Sequence, residues 1–226
     1  MCGKFLNLFL AVLLFVIFSG CQNVLFTALV LVKGTDVPPE CEILTKAKKE
    51  TRVAVVCYSV AASQYEVQNA PRIIGKQVSK LIEDNCANRS IRMVDPVKVD
   101  SWLDNCGNEV DDVLNIGKDP TINADIVIGI EIIDFQTRDQ KSHFQIQGKC
   151  MMRILAKDCK TGEILYSQSL NVVDPPDVPI QGGGAGTEAA FRPKFIKTVS
   201  EQVAYKFHPH DQHKARRIQA DSMDMF

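Results

Sequence analysis

The chain has 226 residues, 46% of them hydrophobic and 23% charged, with a formal net charge of −1. That length suits one domain with a sizeable core or two small ones. The near-neutral balance argues against a nucleic-acid binder, which carries a clustered basic excess. The average hides two unlike ends, since residues 5–32 are almost wholly apolar and residues 208–226 mostly polar.

The N-terminal end reads as a targeting segment. Met1 to Lys4 carry one Lys, and Phe5 to Phe18 form an apolar run broken only by Asn7. Ser19 and Gly20 then supply the small residues that a signal peptidase requires. The run falls short of the roughly 20 apolar residues that cross a bilayer. Extending it to Val32 would put Gln22 and Asn23 in hydrocarbon, at several kcal/mol for unpartnered amides. The order Phe18-Ser19-Gly20-Cys21 resembles a bacterial lipobox, with Phe18 standing where Leu is usual. The resemblance implies cleavage between Gly20 and Cys21 and diacylglycerol on the Cys21 sulfur. An ordinary signal peptide and an uncleaved anchor are the alternatives. Acyl chains contribute about 0.8 kcal/mol per buried methylene, so two or three of them make a durable anchor to the lipid bilayer. Gln22, by the sorting rule of enteric lipoproteins, permits transfer to the outer membrane. Inner and outer membrane both stay open.

Cleavage leaves 25 basic and 27 acidic side chains and six cysteines besides Cys21, namely Cys41, Cys57, Cys86, Cys106, Cys150 and Cys159. An even number in an oxidising compartment invites disulfides. Cys86 and Cys106 each end an Asp/Asn-rich helical stretch and are the favoured pair. Cys57 and Cys150 sit in apolar strand patterns, where a buried free thiol is commoner. No cysteine or histidine spacing points to zinc.

Residues 24–32 are a second short apolar run, and 33–40 (KGTDVPPE) read as a linker broken by Gly34, Pro38 and Pro39. RVAVVCYSV from Arg52 is a buried strand. Asn69-Ala70-Pro71 opens a helix with Ile73, Ile74, Val78, Leu81 and Ile82 on one face, ending at Asn85. Ser90 to Val94 form a short strand. Asp95-Pro96 opens a second helix with Val99, Trp102 and Leu103 on one face, and 109–118 add helical turns. Ala124 to Phe135 is apolar on both faces and therefore a central strand. From His143 to Lys157, Phe144, Ile146, Cys150, Met152, Ile154 and Ala156 alternate with His143, Gln145, Gln147, Lys149, Arg153 and Lys157, as in a half-solvated antiparallel strand. Asp158 to Gly162 form the turn, and Glu163 to Val172 return. A Pro- and Gly-rich loop covers 174–186, an amphipathic helix starts near Thr187, and a loose tail begins at His208. The predicted fold class is α/β (α+β): one mixed β-sheet with helices packed on it, after an N-terminal apolar signal. The predicted division is 1–20 signal, 21–49 membrane-proximal segment and linker, 50–207 α/β domain, and 208–226 flexible polar tail.

Four stretches carry a resemblance: "RVAVVC", "ADIVIGIEIIDF", the turn Lys157 to Glu163 (KDCKTGE), and the last helix "FRPKFIKTVSEQVAYKF". Over nearly the whole chain they resemble uncharacterised bacterial envelope lipoproteins. Over about residues 50–207 they are more distantly similar to the α/β domain of curli-secretion channel lipoproteins, penicillin-binding-protein activator lipoproteins and the N-terminal domain of the Tol-system propeller protein. Those relatives act by binding and assembly, so the resemblance implies no catalytic residue and no cofactor. A membrane-inserting hairpin needs long lipid-facing strands; 143–172, with a polar face and a short turn, fits a sheet edge better.

The remaining constellations favour plain readings. GGGAG at 182–186 lacks the Lys and hydroxyl residue of a phosphate loop, and Glu188 would repel a phosphate, so a Gly-rich connection is expected. His208, His210, Asp211 and His213 could chelate a transition metal, but no second ligand cluster closes a site, so they are weak candidates. Asp111 and Asp112 solvate a helix. Glu131 and Asp134, three apart on a strand, are expected on opposite faces. Ser59 and Ser63 follow the first strand without a nucleophile elbow. The sequence therefore points to a non-catalytic lipoprotein module of the cell envelope, facing the periplasm, with an envelope protein or a second copy as partner and no nucleic acid. An envelope hydrolase and a metal-binding tail are the alternatives.

Overall fold

The computed structural model describes residues 36–42, 50–59, 69–86, 91–106, 114–138, 145–176, 180–181 and 185–211. The signal segment, the run 24–32, and the helical turns expected over 109–113 lie outside the described residues. In chain order the elements are β1 (Asp36–Val37), β2 (Thr51–Ser59), α1 (Ala70–Cys86), β3 (Ile91–Met93), α2 (Pro96–Cys106), a 3-10 turn (Ile116–Lys118), β4 (Ile126–Arg138), β5 (Gln145–Asp158), β6 (Ile164–Asp174), β7 (Ile180–Gln181), α3 (Ala185–Ala204) and β8 (His210–Asp211).

One mixed sheet runs in the order β3-β2-β4-β5-β6, with β7 pairing β5 beyond the end of β6. β2 is parallel to β3 and β4; β4, β5 and β6 form an antiparallel meander. The sequence reading of a mixed sheet with β4 central holds. β4 is apolar on both faces because both are covered over its first half. On one side Ile126, Ile128, Ile130 and Ile132 meet Ile74, Val78 and Ile82 of α1 and Phe195, Val199 and Val203 of α3 in one buried core. Full burial of each such side chain contributes about 1.5–3 kcal/mol. On the other side Ala54, Val56 and Val127 are covered by Val94, Val99, Ile116 and Ile122.

Local signals place the helices. The carboxylate of Asp95 accepts a hydrogen bond from Val97 N–H at 2.9 Å, capping α2, whose first residue is Pro96. α3 begins at Ala185, two residues before the predicted start, and carries Pro193 inside it. It lies close on β5: a Cβ at Gly148 would stand 2.4 Å from the Phe195 ring, so only glycine admits this approach.

Three expectations are corrected. The predicted linker and tail join the fold, because β1 pairs antiparallel with β8, Asp36 opposite Asp211 and Val37 opposite His210. His208 is only 2% exposed. His210 and Asp211 are thus part of the fold, and residues 212–226 lie outside the described residues. The loop after β6 contains β7, paired with Gln145 and Ile146. Gln147, expected on the solvated face, is buried, and its Nε2 donates to Pro175 O at 3.0 Å. The chain leaving β6 folds over Gln147, and a buried amide needs such a partner.

Candidate interaction surface

Opposed residues in a ladder share a face. Along β4 and β5, Ile130 opposes Ile154, Glu131 opposes Arg153 and Ile132 opposes Met152; then Asp134 opposes Met151 and Phe135 opposes Cys150. Ile133 is an extra residue, a β-bulge, and it reverses the alternation beyond it. Phe135 therefore joins Ile130 and Ile132 in the core, where its ring lies 5.3 Å from that of Phe195. Asp134 joins Glu131 on the far side. The expectation that these carboxylates point to opposite faces assumed a regular period of two and is wrong here.

Among the described residues, the far side is covered only in part. Packing against Val127 and Gly129 by the 114–122 segment ends at Leu114, whose Cδ2 would lie 2.9 Å from a Cβ at Gly129. Beyond it the face opens onto Glu131, Asp134, Met151, Arg153, Ser167, Ser169 and Asn171. Arg153 Nη2 stands 2.5 Å from Glu131 Oε2, with side-chain exposures of 45% and 9%. The guanidinium thus roofs a nearly sealed carboxylate. Gln136 Nε2 donates to both Asp134 oxygens, at 3.0 and 3.2 Å. Met151 is 44% exposed, opposite Asn171, and Ser169 lies opposite Arg153. The result is a strip carrying a thioether, a guanidinium paired with Glu131, a carboxylate bonded by Gln136, hydroxyls and an amide. Met and Arg are enriched at protein interfaces.

Concavities lie elsewhere, one of about 820 Å³ beside α2 lined by Val97, Ser101, Trp102 and Pro120, and two against α1 and α3. A groove of about 550 Å³ between α1 and α3 is lined by Ile73, Gln77, Glu188, Ala189, Arg192, Pro193 and Ile196. Glu188 is held by Thr137 Oγ1 and by Arg138 Nε, both donating at 2.6 Å, and these bonds keep its carboxyl below the usual range. Glu188, expected to repel a phosphate, serves to pin the start of α3 to the end of β4. Residues 182–184 of the glycine run are outside the described residues.

A smaller pocket of about 310 Å³ is lined by Leu81, Asn85, Glu201, Tyr205 and His208 to Asp211. The rings of Tyr205 and His210 stack at 4.1 Å. Burial raises the Glu201 carboxyl and pushes the Tyr205 phenol up to about 12. Of the weak metal candidates, His208 and His210 have ring centroids 6.5 Å apart, and His208 Nδ1 lies 2.8 Å from Pro209 O. Among the described residues no three His, Cys, Asp or Glu side chains converge on a metal position. His213 lies outside them.

Gly20, Cys21, Ser63, Asp111 and Asp112 are also outside the described residues. Cys86 is buried at the end of α1, and Cys106 ends α2 with its side chain outside the described residues, so their pairing stays an expectation. Cys57 and Cys150 are buried free thiols; burial pushes Cys57 well up and Cys150 up to about 12. Ser59 ends β2. The polar alternation of β5 pointed to this solvated face, but nothing in the sequence revealed the bulge in β4 that adds Asp134 to it.

No family model matches the chain, and no curated protein matches it. Among solved structures it is similar to the PelC dodecamer from Paraburkholderia phytofirmans, at 9% identity and a TM-score of 0.42, over 72% of this chain and 91% of that one. It is also similar to lipoprotein GNA1162 from Neisseria meningitidis, at 12% identity and a TM-score of 0.40, over 67% of this chain and 99% of that one. At these identities and scores the likeness says nothing of activity.

Proposed function

We propose that the chain is a membrane-anchored lipoprotein of the bacterial cell envelope whose α/β domain works by protein–protein contact, through the open strip of β4, β5 and β6. The observation that carries the contact reading is the strip that the described residues leave open: Met151 exposed beside a charge-neutralised Arg153–Glu131 pair, on the reverse of a sheet whose other side is covered by α1 and α3. An exposed Met beside an Arg whose charge is balanced by Glu131 suits a protein partner. The anchor reading rests on the sequence Phe18-Ser19-Gly20-Cys21 after a short apolar run.

Two experiments test the two halves. Labelled palmitate should enter the wild-type protein and be lost, with membrane retention, in Cys21→Ser; retention of both overturns the anchor. Crosslinking and pull-down of the lipidated protein from intact cells should recover a protein complex that Arg153→Glu with Met151→Asp releases. Equal recovery with that double variant, while its thermal unfolding is unchanged, overturns the strip as the contact surface.

A further inference from the structure

The two edges of the sheet are finished differently. At one end β3 is only three residues, Ile91–Met93, with exposed Arg92 in its middle. Short length and a charge are the usual means of blunting an edge. At the other end β6 spans Ile164–Asp174, 11 residues paired on one side to β5 and ending the sheet path. From Ile164 to Val173 (ILYSQSLNVV) it has no charged residue and no Pro. Among the described residues, nothing pairs with its outer edge. A long neutral edge of this kind is a template for another strand.

We infer that the occupant of the β6 edge is a second copy of this chain, paired β6 to β6 in antiparallel fashion so that two sheets become one. Three observations favour a second copy over another partner. First, self-pairing of a strand without charges brings no like charges opposite one another, which would be unfavourable. Second, most of the side chains are self-compatible: Ser167, Ser169 and Asn171 are exposed on the open side, while Tyr166, Gln168, Leu170 and Val172 lie on the core side. Pairing about Ser169 would set hydroxyls and amides against one another on the open side, and on the other Tyr166 against Val172 and the Gln168 amide against Leu170.

The third observation concerns the tether. A two-fold axis perpendicular to the joined sheet puts α1 and α3 of both copies on one side. The N-terminal segment enters each domain on that same side. Glu40 takes a 2.6 Å bond from Lys206 Nζ, just past α3, and a 3.1 Å bond from the hydroxyl of Tyr166 on the core side of β6. Glu40 of both copies thus lies on one side of the joined sheet, as two tethers to a single bilayer would require. The inference goes beyond the contact reading and rests on it only for the anchor in the third observation; the dimer would extend the open strip of one copy into that of the other.

The test uses the full mature chain, residues 21–226, with Cys21→Ser to keep it in solution. Sedimentation equilibrium across the micromolar range should give a dimer, and Ser169→Lys, which sets like charges near the axis, should give a monomer with an unchanged thermal melt. In native membranes, the lipidated protein with a cysteine substituted for Ser167, Ser169 or Asn171 should form a covalent dimer on oxidation at the position nearest the axis. Ser101→Cys on α2 and the unsubstituted chain should not. A monomer throughout, a dimer that survives Ser169→Lys in a folded variant, or equal crosslinking at Ser101→Cys overturns the inference. If Ser169→Lys does not fold, the cysteine series decides. Loss of the anchor reading alone would leave the soluble dimer intact. A monomer that still captures a protein through Arg153 and Met151 would sink the dimer and spare the contact reading.

Discussion

On the side of the sheet facing α1 and α3, alternate residues of β4 from Ile126 to Phe135 are sealed from end to end; on the other side the seal stops near Gly129 and gives way to Glu131, Arg153 and Met151. The same strand thus serves as core on one face and as core, then surface, on the other. What changes is not hydrophobicity alone but what, among the described residues, lies above: two long helices on one side, against one shorter helix and a 3-10 turn on the other. The helical side holds the larger buried core. Substitutions should therefore separate sharply by side.

The largest effect is expected at Phe195, fully buried, with its ring 5.3 Å from Phe135 and 5.8 Å from Phe191. Phe195→Ala should cost about 3–5 kcal/mol in urea unfolding, as large-to-small changes of buried aromatics do. A cost comparable to that of an open-strip substitution would erase the distinction between the sides.

A smaller, pH-dependent effect is expected at Glu188. Hydrogen bonds from Thr137 and Arg138 hold its folded carboxyl below its ordinary value. Its contribution is therefore present above the unfolded-state value and disappears as pH falls through the folded one. Glu188→Gln should cost on the order of 1 kcal/mol at neutral pH, after allowance for solvent screening of the half-exposed Arg138, and nothing at strongly acid pH. A pH-independent difference between the two unfolding curves would refute the assignment.

The smallest effect belongs to the open strip. Met151→Ser should change stability by no more than about 0.5 kcal/mol, since it removes no buried contact, yet it should weaken partner recovery from cells. A marked loss of stability in the isolated protein would mean that Met151 is covered within its own chain.

Much of this architecture was legible in the residues. The two-sided apolarity of ADIVIGIEIIDF placed β4 at the centre, because only a strand covered on both faces can bury both sets of side chains. Asp95-Pro96 marked α2 through local hydrogen bonding and fixed φ, and the i, i+4 spacing of Ile74, Val78 and Ile82 marked the buried face of α1. The candidate surface was half legible: the polar alternation of β5 showed a solvated face but not its neighbours. The His-rich segment was misjudged because a two-residue strand such as β8 has no periodicity to read, and its partner Asp36–Val37 lies far away in sequence.

Elements with a repeating pattern, and ends with a local cap, were thus determined by the sequence alone, since the forces that set them act over a few residues. Only the tertiary structure decided the bulge at Ile133 that brings Asp134 to the side of Glu131, the covering of Gln147 by the chain leaving β6, and the place of β6 at the edge. Each of these depends on which strand lies beside which, and that is settled by the packing of the whole sheet against α1 and α3.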